Sequence, residues 1–160
     1  MLALDASSMI HAWDNYPPKQ FPPLWNWIAS QIEAEEFSIP KVALDEIEHK
    51  LPDCATWLKN HKILRIDATN EVFQEAMRIK QMLEIQGDKY HAKGVDEIDI
   101  LIVATASCHK LELVSDEARQ VGLPQIKAKM KIPAVCNLGG INVPCLSFLE
   151  LIKRSSVVFG

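Results

Sequence analysis

Acidic residues at four separated positions are the side chains of this sequence best suited to chemistry. They are Asp5, Glu46, Asp99 and the adjacent pair Asp116 and Glu117. If these carboxylates converge in the folded chain, two unit charges about 4 Å apart repel by about 4 kcal/mol at an effective dielectric near 20. A hard divalent ion with oxygen ligands relieves such repulsion, and Mg²⁺ or Mn²⁺ in a site of this kind is typical of phosphate chemistry. The four positions therefore predict a metal centre.

Helices and short strands alternate along the chain. The apolar run 1–5 predicts a short buried strand that Asp5 ends, followed by a short helix through residue 13 that Ser7 or Ser8 caps. The run 98–106 is apolar almost all round, and its alanines favour a buried helix over a strand. Further strands are predicted at 62–66, 111–115 and 141–144, and further helices from Pro22, from Pro40, at 56–59, from Thr69 or Asn70 and from Ser147. This alternation predicts an α/β fold with a central parallel sheet and helices on both faces.

The predicted sheet gives the acids a common location. Ligands of open α/β sheets bind outside the carboxyl ends of the strands, where Asp5 and the segment 115–117 are expected. Glu46 and Asp99 would enter the same crevice from helices. Taken singly, each acid has an ordinary explanation as a helix cap, a first-turn acid or part of a solvated face. The metal prediction therefore depends on their occurring together.

Size and composition narrow the class of protein. A chain of 160 residues, 48% hydrophobic and 24% charged, is typical of one globular domain, so we predict a single domain over residues 1–160. The net charge of −4 argues against nucleic-acid coating by charge alone, but less against a nuclease whose acids bind metal ions. There is no apolar stretch of spanning length and no secretory signal pattern, so a cytoplasmic protein without membrane partners is expected. The four cysteines form no C-x-x-C pair and predict free thiols rather than a zinc site.

The order of the acids and the strings around them resemble the PIN-domain family of metal-dependent ribonucleases, which are common as toxins of toxin–antitoxin pairs. The matching strings are Leu4–Ser7, Pro40–Glu46, Asp99–Ala106 and Ser115–Glu117. The segments 13–27, 131–136 and 143–145 further resemble one branch of the family, usually encoded beside a helix-turn-helix regulator. The resemblance therefore covers nearly the whole chain.

The resemblance implies a three-layer α/β/α PIN-like fold and a Mg²⁺- or Mn²⁺-dependent endoribonuclease. It implies that Asp5, Glu46, Asp99 and Glu117 are catalytic and hold one or two of these ions. The family more often has Asp where Glu117 stands, and the adjacent Asp116 is an alternative metal ligand.

Other residues are expected to support this site. Ser7 and Ser115 would orient the carboxylates, and Asp96 would either cap the helix that follows it or join the outer shell of the metal. Two basic segments are candidates for contacts with RNA phosphates, although lysines on a surface more often serve solubility. Their lysines are Lys89, Lys93, Lys127 and Lys129.

The resemblance also implies partners. The substrate would be single-stranded or structured RNA, and the protein partner a cognate antitoxin of the helix-turn-helix type; a homodimer is compatible with the family. Two rival functions stay open at this point. One is a PIN-like module that has lost activity and acts by binding a partner. The other, an aspartyl phosphatase, is disfavoured because it requires a second Asp where Ser7 stands.

Overall fold

Five short parallel strands form the centre of the protein, in a computed structural model that describes residues 1–160. The strands are β1 (Leu2–Leu4), β2 (Phe37–Pro40), β3 (Leu64–Ile66), β4 (Glu112–Val114) and β5 (Cys145–Leu146). Their order across the sheet is β3-β2-β1-β4-β5, and every neighbouring pair is parallel. The predicted central parallel sheet is therefore confirmed, with β1 in its middle.

Eight α-helices connect and cover the strands, because each parallel crossover needs a connection long enough to return the chain. They are α1 (Ala6–Asn15), α2 (Pro22–Glu33), α3 (Lys41–Lys50), α4 (Pro52–Asn60), α5 (Asn70–Met82), α6 (Glu97–His109), α7 (Ile132–Cys136) and α8 (Phe148–Ser155). The architecture is the three-layer α/β/α arrangement that the sequence predicted. No helix combines the length and the apolar composition that a membrane span requires.

Helix α6 is the buried helix predicted from the apolar run 98–106. Residues 102–106 are all buried, and α6 packs along α5 and against α3. Its N-terminus is a capping box in which Asp96 and Asp99 bind each other's backbone N–H groups. The predicted cap of the last helix is also confirmed, since the Ser147 side chain accepts a hydrogen bond from the backbone N–H of Glu150. The capping box at the start of α6 fixes where Asp99 lies.

The predicted cap of the first helix is wrong. Helix α1 begins at Ala6, so the N-cap position belongs to Asp5 rather than to Ser7 or Ser8. The Ser8 hydroxyl instead donates a hydrogen bond to the Asp5 backbone oxygen at 2.7 Å. Ser7 is left free to contact the Asp5 side chain.

The predicted late strand at 141–144 is also wrong, because β5 begins one residue after that range. Asn142 has a φ of 49°, in the left-handed region, which interrupts an extended strand. Pro144 has no N–H to donate, although its carbonyl oxygen accepts from Leu113 at 2.8 Å. The short helix α7, which precedes this segment, was not predicted.

The core is a continuous cluster of buried apolar residues that runs from β1 to α8. It includes side chains from both sides of the sheet and from all eight helices. All four cysteines are free thiols, as expected, and Cys54 and Cys136 are buried. The core thus holds the carboxyl ends of β1 and β4 in fixed positions beside α3 and α6.

Candidate metal centre

Asp5 lies at the carboxyl end of the central strand and is almost completely buried, with 2% of its surface exposed. Its Oδ2 accepts hydrogen bonds from the Ser7 hydroxyl at 2.6 Å and from the Ser115 hydroxyl at 2.8 Å. Its backbone N–H donates to the Val114 oxygen at 2.8 Å, which ties the end of β1 to β4. The two serines hold this carboxylate in one orientation, which is the arrangement expected of residues that position a ligand.

The charge state of Asp5 reflects both its burial and its acidic neighbours. Burial raises the pKa of Asp5 to about 6, although the hydrogen bonds from Ser7 and Ser115 lower it. The charges of Glu117 and Glu46 raise this pKa further. Glu46 and Glu117 therefore come close enough to Asp5 to act on its charge.

Asp99 joins the same group from the first turn of α6. Its Oδ2 accepts a hydrogen bond from the Asp96 backbone N–H at 3.0 Å, and Asp96 Oδ1 accepts from the Asp99 N–H at 2.9 Å. Burial raises the pKa of Asp99 to about 7, against the hydrogen bond from Asp96. The charges of Asp96, Asp5 and Glu117 add to the increase. Asp96 caps α6, which was one of the two roles expected for it. It also adds negative charge to the region around Asp5, Glu46, Asp99 and Glu117, which is called the acidic cleft below.

Glu46 and Glu117 complete the group from two further elements. Glu46 lies on α3, and its Oε1 accepts a hydrogen bond from Lys50 Nζ at 2.8 Å. Glu117 follows β4, and its backbone N–H donates to the Ser115 hydroxyl at 3.2 Å. Its Oε2 lies 4.0 Å from Lys131 Nζ. Both carboxylates are paired with lysines at the edge of the cleft.

Asp116, the alternative fourth acid, uses its carboxylate elsewhere. Its Oδ1 accepts a hydrogen bond from the Phe148 N–H at 2.8 Å, and its Oδ2 lies 3.6 Å from His11 Nδ1. The Asp116 backbone N–H donates to the Ser7 hydroxyl at 2.9 Å. This side chain therefore ties the loop after β4 to the start of α8. Among the adjacent pair, the geometry favours Glu117 as the acid that faces Asp5.

The donor set suits Mg²⁺ or Mn²⁺, since four carboxylates from separate elements supply hard oxygen ligands. As the side chains stand, no three His, Cys, Asp or Glu residues form a closed group of metal ligands. Ligation of an ion by Glu46 and Glu117 would replace their contacts with Lys50 and Lys131.

The two predicted basic segments lie next to each other. Lys89 and Lys93 are exposed in the loop before α6, and the second segment forms a short 3₁₀ turn at Lys127–Lys129. The Val95 N–H donates to the Met130 oxygen at 2.9 Å, which joins the two loops. The loop before α6 leads directly into the capping box of Asp99, so the joined loops and the acids belong to one region.

Two residues of this region, Gln120 and Lys50, were not singled out by the sequence. Gln120 holds the second basic segment: its Oε1 accepts from the Lys131 N–H at 2.9 Å and its Nε2 donates to the Lys129 oxygen at 3.1 Å. Lys131 and Lys50 bring ammonium groups to Glu117 and Glu46. Only Lys50 had a local signal, since it lies four residues after Glu46 on the same helix.

Without added divalent ion, the free energy of unfolding should fall as the pH rises from about 4 to about 7. The pKa values of Asp5 and Asp99 in the folded chain are raised from 3.8 to about 6 and about 7. The contribution of these two carboxyl groups to the free energy of unfolding is complete below their pKa in the unfolded chain. It is lost as the pH rises through their pKa values in the folded chain. Melting temperatures in chelator between about pH 4 and about pH 8 would show this.

The matched variants for this experiment are Asp99→Asn and Asp88→Asn. Asp99→Asn removes one of the two raised groups and should flatten the pH dependence of the melting temperature. Asp88 lies in an exposed turn, and its replacement should leave the dependence unchanged. Equal pH profiles for the wild type and Asp99→Asn would contradict the electrostatic description of the cleft.

A family model described as "Domain of unknown function (DUF4411)" matches residues 2–159. No curated protein matches the chain. A chain in the crystal structure of VapBC2 from Rickettsia felis bound to a promoter DNA fragment is similar in structure, with a TM-score of 0.51 and 15% identity. That match covers 81% of this chain and 96% of that chain.

A chain of a toxin–antitoxin complex from Klebsiella pneumoniae also matches, with a TM-score of 0.48, 14% identity, and coverage of 78% of this chain and 93% of that chain. The likeness to the Rickettsia chain concerns the fold alone. It confirms the PIN-like three-layer fold expected from the sequence.

Proposed function

This chain belongs to the DUF4411 family, and on that premise and its PIN-like fold we propose that it is a metal-dependent endoribonuclease. Its substrate is RNA, its ion is Mg²⁺ or Mn²⁺, and its biological role is that of the toxin in a toxin–antitoxin pair. The observation that carries the proposal is the buried carboxylate of Asp5, which Ser7 and Ser115 hold at the carboxyl end of β1. The charges of Glu46 and Glu117 raise the pKa of Asp5, and those of Asp5 and Glu117 raise the pKa of Asp99, which supports the inference that the four acids approach one another.

In this proposal Asp5 is the fixed ligand of the site. Ser7 and Ser115 bind one of its oxygens, which leaves the other available to an ion. Asp99 is held by the capping box of α6, so its position also depends little on the ligand. Glu46 and Glu117 are the adjustable ligands, because their longer side chains are held only by lysines.

When bound, a divalent ion would supply an acidified water and positive charge for the phosphodiester. The residues of the chain define where this happens. Asp5 lies at the carboxyl end of β1, where a parallel sheet commonly binds ligands. Asp99 approaches from the first turn of α6. Phosphates farther along the RNA would be contacted by Lys89, Lys93, Lys127 and Lys129. Such contacts position a single strand without reading its sequence.

The protein partner in this proposal is a cognate antitoxin of the helix-turn-helix type. Support comes from the resemblance of the sequence to a toxin family and from the PIN-like fold. A segment of the antitoxin could place an Arg or Lys over the acids, since a basic side chain satisfies the same charge that an ion would. A homodimer is a further proposal on the same basis.

A second candidate is a PIN-like module that binds a partner without catalysis. One observation favours it: the four acids do not form a closed ligand group as the side chains stand. The two candidates differ in whether added ion produces RNA cleavage.

The experiment is incubation of the purified protein with a mixed pool of single-stranded RNA in Mg²⁺, in Mn²⁺ or in chelator. Cleavage in the presence of an ion, and none in chelator, is the result expected of the nuclease. Intact RNA under every condition would contradict the nuclease proposal and favour the binding module.

A further inference from the structure

Two lysines reach into the acidic cleft from different elements. Lys50 is the last residue of α3, and its Nζ lies 2.8 Å from Glu46 Oε1. Lys131 is the residue that precedes α7, and its Nζ lies 4.0 Å from Glu117 Oε2. Lys131 is held in place through its backbone N–H, which donates to Gln120.

The four acids divide into two kinds by their partners. Asp5 and Asp99 are bound by hydroxyl and backbone N–H groups, which are neutral. Glu46 and Glu117 are instead paired with ammonium groups. The lysines therefore lie beside Glu46 and Glu117, the two acids that would have to leave an ammonium partner in order to bind an ion.

Lys50 also interacts with acids beyond its own helix. Its pKa is raised by the hydrogen bond to Glu46, and the charges of Asp96 and Asp99 on α6 add to the increase. Lys41 provides a contrast, because it pairs with Asp45 at the same four-residue spacing on the same helix, at 2.9 Å. An ordinary surface pair of this kind contributes little to stability. The difference is that the charges of Asp96 and Asp99 act on Lys50, whereas those of Asp67 and Arg65 act on Lys41.

We propose that Lys50 and Lys131 are resident counter-cations of the acidic cleft, which a divalent ion has to displace before Glu46 and Glu117 can bind it. The inference rests on the proposed metal site and describes how its loading is regulated. An ammonium is a compact charge on a flexible stem, so it can pair with a carboxylate and still withdraw. The lysines thus lower the affinity of the cleft for metal and set the ion concentration at which it fills.

The test compares Lys50→Met with Lys41→Met. Both changes remove one ammonium from α3 and break one pair with an acid four residues away, while keeping an unbranched side chain. Titration calorimetry with Mn²⁺ should show that Lys50→Met binds the ion roughly tenfold more tightly than the wild type, as expected for one unit charge acting on a divalent ion through a largely aqueous medium. Lys41→Met should bind Mn²⁺ like the wild type.

Lys131→Met should strengthen Mn²⁺ binding by a smaller factor, because its ion pair is longer. An affinity of Lys50→Met equal to that of Lys41→Met would overturn the inference. Lys50→Gln serves as a second variant if the Met variant does not fold, and the same comparison applies to it.

The ion titration separates this inference from the proposed function. If the wild type binds Mn²⁺ but cleaves no RNA, the nuclease proposal fails, and the affinity of Lys50→Met still decides the role of the lysine. If the wild type cleaves RNA and Lys50→Met binds Mn²⁺ no more tightly, only the counter-cation inference fails. If neither the wild type nor Lys50→Met binds Mn²⁺, both are wrong.

Discussion

Asp5→Asn is expected to abolish ion-dependent RNA cleavage by this protein while leaving its fold intact. Asn has nearly the same shape, and its side-chain oxygen can still accept hydrogen bonds from Ser7 and Ser115. The change removes the charge of the carboxylate that is the fixed ligand in the proposed function. Loss of one electrostatic group from a catalytic site commonly lowers the rate by about 10²- to 10³-fold, and we expect a loss at least that large.

The same substitution should make the protein more stable in chelator near neutral pH. The pKa of Asp5, about 6, shows that its charged form is disfavoured in the folded chain. A neutral side chain avoids this penalty, so the melting temperature of Asp5→Asn should exceed that of the wild type. Added Mn²⁺ should then raise the melting temperature of the wild type more than that of the variant.

Asp116→Asn is the matched control for cleavage. Asp116 is also an acid at the end of β4, but its carboxylate binds the N-terminus of α8. Its replacement should retain ion-dependent cleavage. Cleavage by Asp5→Asn at the wild-type rate, in preparations free of contaminating nucleases, would refute the assignment of Asp5. Loss of cleavage in Asp116→Asn with no loss of stability would reopen the choice between Asp116 and Glu117.

Gly94→Ala should strongly destabilise the protein and disturb the cleft. A Cβ at this position would lie 1.8 Å from the Ala128 backbone oxygen and 2.9 Å from Lys129 Cα. Both contacts are with backbone, so the two loops have to move apart. Overpacking of this kind typically costs about 1–3 kcal/mol, which lowers the melting temperature of a chain of this size by roughly 2–4 °C for each kcal/mol.

The Gly94→Ala substitution should also affect the acidic cleft, because Gly94 directly precedes the buried Val95 and the capping box of α6. Separation of the loops would break the hydrogen bond from the Val95 N–H to Met130 and shift Asp99. We therefore expect lower RNA cleavage as well as lower stability. Gly139→Ala is the control, since a Cβ there would meet nothing within 4 Å. Equal melting curves for the two variants would show that the close contact at Gly94 is not structurally important.

Local sequence signals predicted much of the fold. The apolar run 1–5, the buried helix at 98–106 and the cap at Ser147 each depend on neighbouring residues, and each is present. The late strand was misplaced because its position depends on pairing with β4 and on the left-handed backbone of Asn142, neither of which shows in local composition.

The sequence predicted the acids as a set, but it did not predict the geometry of each one. Asp116 and Glu117 are adjacent and chemically similar, so sequence alone left both open. The distinction depends on a hydrogen bond from Phe148, which is distant in the chain. The contact between Lys131 and Glu117 was not predictable for the same reason, since it exists only in the folded structure.

The most direct test of the account is a crystal structure of the protein with Mn²⁺, located by anomalous scattering. We expect an Mn²⁺ ion within about 2–2.5 Å of carboxylate oxygens of Asp5 and Asp99, with Glu46 and Glu117 turned toward it and away from their lysines. A crystal grown in saturating Mn²⁺ with no anomalous peak between these acids would contradict the claim that they form one metal centre.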